Sequence, residues 1–155
     1  MYKDKILNSK EKKQIFKIMK EQWDTDTDIL RNFAFIKKPS GKIFISNIEA
    51  ASLEQELDLK VYSIGNYFAK EEKESLRMSI EGSQIIGPNS KKNVIDLSKE
   101  QIEEWIMGNN VTIPKNFKGY CLVKNLNDFF GCGIAKEGTL LNHIPKTRRI
   151  KNIIK

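Results

Sequence analysis

Asn93-Val94-Ile95-Asp96-Leu97-Ser98-Lys99-Glu100-Gln101-Ile102-Glu103-Glu104-Trp105-Ile106-Met107-Gly108 opens the stretch, running on to Ile150, whose reading decides the fold. Val94–Leu97 is apolar apart from Asp96 and predicts a strand. Ser98 with Gln101 three residues on forms an S-x-x-Q capping box, which satisfies two otherwise orphaned backbone donors at a helix start. Ile102, Trp105 and Ile106 then repeat at helical spacing, and Gly108 suits a left-handed C-terminal cap. Strand-like apolar runs follow at Val111–Ile113, Tyr120–Val123 and Phe129–Ala135, the last two joined by a hairpin turning near Asn127-Asp128. One short helix, a few glycine-punctuated strands and a cationic exit imply a small α+β unit.

Working back toward the start, Gly87-Pro88-Asn89-Ser90-Lys91-Lys92 concentrates turn formers and charge, and marks the boundary between two halves, 1–88 and 91–155. In the first half, Asn8 and Glu11 form a capping pair for a helix over Ser9–Trp23, with Ile15, Phe16, Ile18, Met19 and Trp23 on its apolar side. Asp24-Thr25-Asp26-Thr27-Asp28 is a polar separator. Phe33–Ile36 and Lys42–Ile45 flank Pro39-Ser40-Gly41 as a hairpin. A short helix is expected over Ile48–Leu57. Alternating segments at Lys60–Phe68 and Ser75–Ile80 are antiparallel in character, with Gly65 marking a bulge.

The 155 residues suffice for one ordinary domain or two small ones. Apolar content of 39% beside charged content of 30% excludes a disordered chain. No apolar run approaches the roughly 20 residues that span a bilayer, and the opening Met1-Tyr2-Lys3-Asp4-Lys5 has no signal-peptide core. A cytoplasmic protein, nucleolar in a eukaryote, is the expectation, with no membrane partner. Cys121 and Cys132 are expected to be buried free thiols, the alternative being a disulfide across the hairpin. One histidine and two isolated cysteines supply no zinc set, so neither metal nor cofactor is expected.

The net charge of +7 favours an anionic partner. Positive charge gathers in two places. Seven lysines lie between Lys3 and Lys20 against only Asp4 and Glu11, and Lys146, Arg148, Arg149, Lys151 and Lys155 face no acid at all. For the first cluster a solubilising surface explains the lysines equally well. The second follows Asn142-His143, whose side chains can hydrogen-bond bases or ribose hydroxyls, and arginine adds a planar bidentate group for phosphate. No catalytic constellation is visible. Gly131-Cys132-Gly133 lacks the third glycine (Lys136 stands there) and any following helix, so a bend, a bulge or a close backbone approach accounts for it. His143 has no triad partner, and Glu71-Glu72 and Glu103-Glu104 read as solvated faces.

These residues carry a family likeness. Val94–Leu97, Trp105-Ile106-Met107-Gly108-Asn109-Asn110-Val111, Gly119–Val123 and Phe130–Ala135 resemble, in their order and spacing, a PUA domain, a pseudo-β-barrel that binds RNA. Leu141-Asn142-His143-Ile144-Pro145-Lys146 resembles the "NHxPK" segment near the end of Sun-family rRNA cytosine-5 methyltransferases. Val61–Lys70 and Leu76–Ile80 are similar to the "LGxxFGK…FRLxI" pattern of the pre-PUA domain in the Nip-type ribosome-biogenesis factor, with Ala69 replacing its second glycine. The likeness implies an α+β chain in which an α/β pre-PUA-like domain precedes a PUA pseudo-β-barrel. It implies RNA contact through Asn109, Asn110, Lys136, Asn142, His143, Lys146, Arg148, Arg149 and Lys151. The implied partner is RNA, rRNA ahead of tRNA, and a protein such as an RNA methyltransferase or ribosome-assembly factor. No methyltransferase domain is present, so the likeness brings no activity with it. The alternatives are an RNA-binding subunit of an enzyme whose catalytic part is another chain, and a protein-interaction module with incidental basicity.

Overall fold

The computed structural model describes residues 4–47 and 65–152. The expected helix at Ile48–Leu57 and the start of the Lys60–Phe68 segment lie outside those residues. In chain order the elements are β1 (Lys5–Ile6), α1 (Ser9–Trp23), β2 (Phe33–Lys37), β3 (Lys42–Asn47), β4 (Asn66–Glu72) and β5 (Ser75–Met78). Then come α2 (Ile80–Ile86), β6 (Val94–Asp96), α3 (Lys99–Ile106), β7 (Val111–Thr112), β8 (Gly119–Asn125), β9 (Asp128–Lys136) and β10 (Thr139–Asn142).

Helix α1 starts where its capping pair predicts. The Asn8 side chain accepts from Glu11 N at 2.9 Å and the Glu11 carboxylate accepts from Asn8 N at 3.2 Å. Such a cap contributes about 1 kcal/mol. Ile15, Met19 and Trp23, four residues apart, are its buried stripe. They pack on the first sheet, ordered β1-β2-β3-β4-β5 and antiparallel throughout. Phe16, Phe35 and Phe68 meet there in successive edge-to-face contacts at 5.6 and 5.5 Å. The irregularity expected at Gly65 falls instead further along β4, at Phe68, which has no partner between the Ile43–Ala69 and Phe44–Tyr67 pairs. Gly65 serves another purpose: a side chain there would collide with the Ile45 carbonyl.

The strand expected over Ser75–Ile80 stops at Met78, and helix α2 begins at once. Ser79 caps it, its hydroxyl accepting from Gly82 N at 2.9 Å. Seven residues with a glycine inside hold too little periodicity to announce a helix. Packing makes it: Ser83 Oγ accepts from Gly131 N at 2.8 Å while donating to the Ile80 carbonyl at 2.6 Å.

The second sheet runs β6-β8-β9-β10-β7, with β6 parallel to β8 and the other neighbours antiparallel. The β8–β9 hairpin turns at Leu126-Asn127, as read from the sequence to within a residue. Both of its faces are covered. Leu122, Phe129 and Cys132 join the core beneath α1 and the first sheet, whereas Cys121, Val123 and Ala135 join Trp105, Leu140 and Ile144 on the other side. Burial on two faces is why these strands read as continuous apolar runs. It also separates the thiols. Leu122, not Cys121, stands opposite Cys132, and a one-residue offset in a strand puts side chains on opposite faces. Both cysteines are free, and burial pushes their thiols up to about 11 and about 12.

The stretch 87–92 is strapped to α1. Lys91 N and Lys92 N both donate to the Trp23 carbonyl, at 2.9 and 3.0 Å, and the Thr25 and Ser90 hydroxyls share a 2.8 Å hydrogen bond. Trp23 Nε1 donates to the Tyr120 carbonyl at 3.0 Å, tying α1 to the second sheet.

Gly133 is a close approach of the kind the Gly131-Cys132-Gly133 run implied. A methyl there would lie 2.5 Å from the Trp105 ring and 2.6 Å from the Leu141 carbonyl. Trp105 is fully buried and its Nε1 donates to the Phe130 carbonyl at 2.9 Å, so it has no room to yield. Gly133→Ala is expected to destabilise by about 1–3 kcal/mol, measured by chemical denaturation; an unchanged midpoint would show that the ring can move aside.

Candidate nucleic-acid interface

The segment after β10 folds back over the end of α3. Asn142 is the pivot. Its amide nitrogen donates to the carbonyls of Trp105 at 2.7 Å and Asn109 at 3.0 Å, and its Oδ1 accepts from Ile144 N at 2.8 Å. Its backbone N donates to Asn110 Oδ1 at 2.9 Å. The structure thus brings Asn109, Asn110 and Asn142 together, as their assignment to one site requires. The Asn142 amide is spent on fold, however, since both of its ends are bonded internally. Asn109 Nδ2 in turn donates to Glu104 at 2.7 Å.

Beyond it, Lys146–Arg148 form a single 3-10 turn, and Ile150 N donates to the Ile106 carbonyl at 2.9 Å. Arg149 lies across Gly108, whose φ of +97° and lack of a side chain both serve the crossing. The Arg149 Nε donates to the Ile144 carbonyl at 3.0 Å. Its positive charge lies beside the last turn of α3, where carbonyl dipoles converge. Arg148 pairs with Glu81 on α2 at 2.6 Å. Lys146 and Lys151 are exposed and have no ion pair among the described residues. Lys136 sits apart, at the β9–β10 turn opposite Thr139, whereas Asn142 pairs with Gly133 at the other end of that ladder. Three residues of strand separate them, roughly 10 Å.

His143 points back between the sheets. Its Nδ1 lies 3.3 Å from Arg77 Nη1, and its Nε2 is buried without a partner. Arg77 also reaches Glu72 at 3.3 Å, and Glu72 accepts from the Tyr120 hydroxyl at 2.8 Å. Burial and the carboxylate of Glu72 push the Tyr120 hydroxyl up to about 12, and that hydrogen bond holds Glu72 below its ordinary value. Sequence reading missed Arg77, Glu72 and Tyr120, because only the stacking of two sheets makes them neighbours of His143.

Burial, and then Arg77, lower the His143 pKa from 6.5. The sign follows directly. As pH falls through 6.5 the unfolded chain takes up the proton before the folded one, so the contribution to stability is complete above that value and declines below it. Thermal midpoints should therefore drop on mild acidification, and His143→Gln should flatten the dependence. An identical profile in the variant would remove the effect from this residue.

With this geometry in place, the comparison with protein families is decisive for one part of the chain. Residues 92–150 match the methyltransferase RsmF PUA domain. The matched stretch begins just before β6 and closes with the Asn142–Ile150 fold-back, the same segment whose asparagine-histidine-proline-lysine run carried the resemblance. The whole architecture is that of an α+β pre-PUA-like unit followed by a PUA pseudo-barrel. A PUA domain points to RNA binding. No curated protein matches the chain. Among the described residues, no group of three or more His, Cys, Asp or Glu side chains is placed to hold a metal ion, and no helix is long and apolar enough to cross a membrane.

Proposed function

We propose that this protein is a non-catalytic RNA-binding protein acting on rRNA, in ribosome biogenesis or RNA modification. The observation that carries the reading is the PUA domain with its cationic fold-back held by backbone hydrogen bonds against the end of α3. A basic segment pinned to a scaffold meets the phosphate chain without first losing conformational freedom, and so binds more tightly than a loose one. Lys146 and Lys151 supply the phosphate contacts, and Arg148 joins them when an RNA phosphate competes with Glu81. Asn109, Asn110 and the backbone of 142–145 position the strand. Lys136, at the end of β9, and Lys115, whose side chain lies against Gly138 in the β9–β10 turn, extend the path for a longer RNA.

Support for a non-catalytic role comes from the two cysteines and the histidine, which are taken up in packing. Both thiols are buried and held protonated, and the histidine is tied to Arg77. The family match favours one further reading, an RNA-binding subunit that delivers substrate to an RNA methyltransferase on another chain. The test is RNA affinity measured by fluorescence anisotropy for structured rRNA fragments, tRNA and random single strands over a salt series. Preference for rRNA with a steep salt slope supports the proposal. Equal, weak affinity for every RNA would turn it toward a protein-interaction module. Stimulation of a methyltransferase by the purified chain would select the subunit reading.

A further inference from the structure

Helix α1 carries the other gathering of positive charge, and folding gives its lysines different surroundings. Lys12 turns inward, its Nζ donating to the Phe33 carbonyl at 2.7 Å and lying 5.5 Å from the centre of the Phe35 ring. Lys5 pairs with Glu11 at 2.8 Å and Lys20 with Asp24 at 3.2 Å. Lys10, Lys13 and Lys17 are exposed and have no ion pair among the described residues. At 3.6 residues per turn, Lys10, Lys13, Lys17 and Lys20 fall within about 80° of arc along about 15 Å of helix. They stand clear of the buried stripe of Ile15, Met19 and Trp23. Lys91, exposed and tied through its backbone N–H to the Trp23 carbonyl at 2.9 Å, adds a cation beside the far end.

This row works against the helix that bears it. Lys10 with Lys13, Lys13 with Lys17 and Lys17 with Lys20 stand three or four residues apart, where like charges repel. Lys10 also occupies the first turn, beside the positive end of the helix dipole. A face that served solubility alone would mix lysine with glutamate at these spacings and gain helix stability as well. Here Glu11 is committed to the cap and to Lys5, and Glu21 is the single exposed acid of α1. Such a row is relieved by an extended polyanion laid along it.

The surroundings select the polyanion. The apolar side of α1 is spent on the core, so the helix has nothing to insert into lipid. Phe16 and Trp23 pack inward as well, leaving no ring on the lysine side for an unpaired base to stack on. Contact with phosphates alone suits a paired stem, whose bases are turned inward. We infer that Lys10, Lys13 and Lys17 hold the phosphate backbone of an RNA duplex, whatever its sequence. This rests on the RNA-binding reading above and adds a second element of the RNA, gripped by the first half of the chain. The surface is distinct from the fold-back. Helix α1 packs over the Leu122 and Phe129 side of the β8–β9 hairpin, and the fold-back joins Trp105 on its other side.

The test compares Lys10→Gln/Lys13→Gln/Lys17→Gln with Lys73→Gln/Lys99→Gln/Lys118→Gln, which removes equal charge from exposed sites elsewhere. Each full-length protein is titrated with a short blunt-ended RNA duplex, with one strand of it alone, and with phosphatidylserine vesicles. The α1 variant should lose duplex affinity about tenfold at low salt, its salt slope falling by about 0.9 for each lysine–phosphate contact removed. Its affinity for the single strand should hold, and its thermal midpoint should stay level or rise as repulsion within the helix is relieved. The control should keep its duplex affinity. Wild-type duplex affinity and slope in the α1 variant would leave these lysines as a solubilising face, and an equal loss in the control would assign the effect to net charge. Vesicle binding lost by the α1 variant, with duplex binding intact, would give the helix to a membrane surface. If the wild-type protein binds the single strand and not the duplex, the stem assignment falls while RNA binding stands. If it binds neither, both readings fall.

Discussion

Reversing the two unpaired cations, Lys146→Glu with Lys151→Glu, is expected to lower RNA affinity by about a hundredfold at low salt, the largest functional effect of any surface change here. Both side chains are exposed and neither has an ion pair among the described residues, so the folded protein loses little when they change. What changes is the counterion balance. Each lysine on a phosphate releases a condensed cation, and removing one lysine–phosphate pairing should flatten the dependence of log K on log salt by about 0.7 for single-stranded RNA. Removing both should lower the slope by about twice that. Arg148→Ala is expected to do less, because its guanidinium already spends part of its charge on Glu81 at 2.6 Å. Anisotropy titrations over a salt series measure both quantities. Wild-type affinity and slope in the double reversal would take the RNA path away from the fold-back altogether.

Asn142→Ala should have the second large effect, and through stability. The substitution removes two donations and one acceptance by a single amide, and leaves the carbonyls of Trp105 and Asn109 and the N–H of Ile144 to find other partners. At about 1 kcal/mol for each hydrogen bond, the expected loss is about 2–4 kcal/mol. The damage should be directional. Amides from Ile144 to Ile150 should lose protection from hydrogen exchange while those of α1 and the first sheet keep theirs, because the Ile150 to Ile106 bond depends on the fold-back staying in place. RNA affinity should then fall although every lysine remains. A variant that loses stability evenly over the chain, with RNA affinity intact, would show that the lysines work without the clasp.

Much of this organisation is legible in the sequence, for reasons that differ by element. Helices α1 and α3 carry capping boxes, Asn8 with Glu11 and Ser98 with Gln101, and both form as those pairs predict. A capping box is a local signal whose partners sit three residues apart. The β8–β9 hairpin is legible because its strands are apolar over their whole width. Helix α2 is not, since Ser79 and the contact of Ser83 with Gly131 define it more than its own seven residues do. The asparagines and lysines of the candidate site each stand out by type and position. That Asn142 serves the fold, and that Arg148 is shared with Glu81, follows only from which elements lie beside them.

The amino-acid sequence alone determined the α+β class, the capped helices, the central hairpin and the gathering of positive charge after His143, because each of these depends on residues close together along the chain. Only the tertiary structure decided which cations stay free, which face each thiol takes and what His143 meets between the sheets. Those outcomes depend on pairs such as Arg77 with His143 and Glu81 with Arg148, more than sixty residues apart. Their distance is set by how two sheets pack, a property that no local pattern encodes.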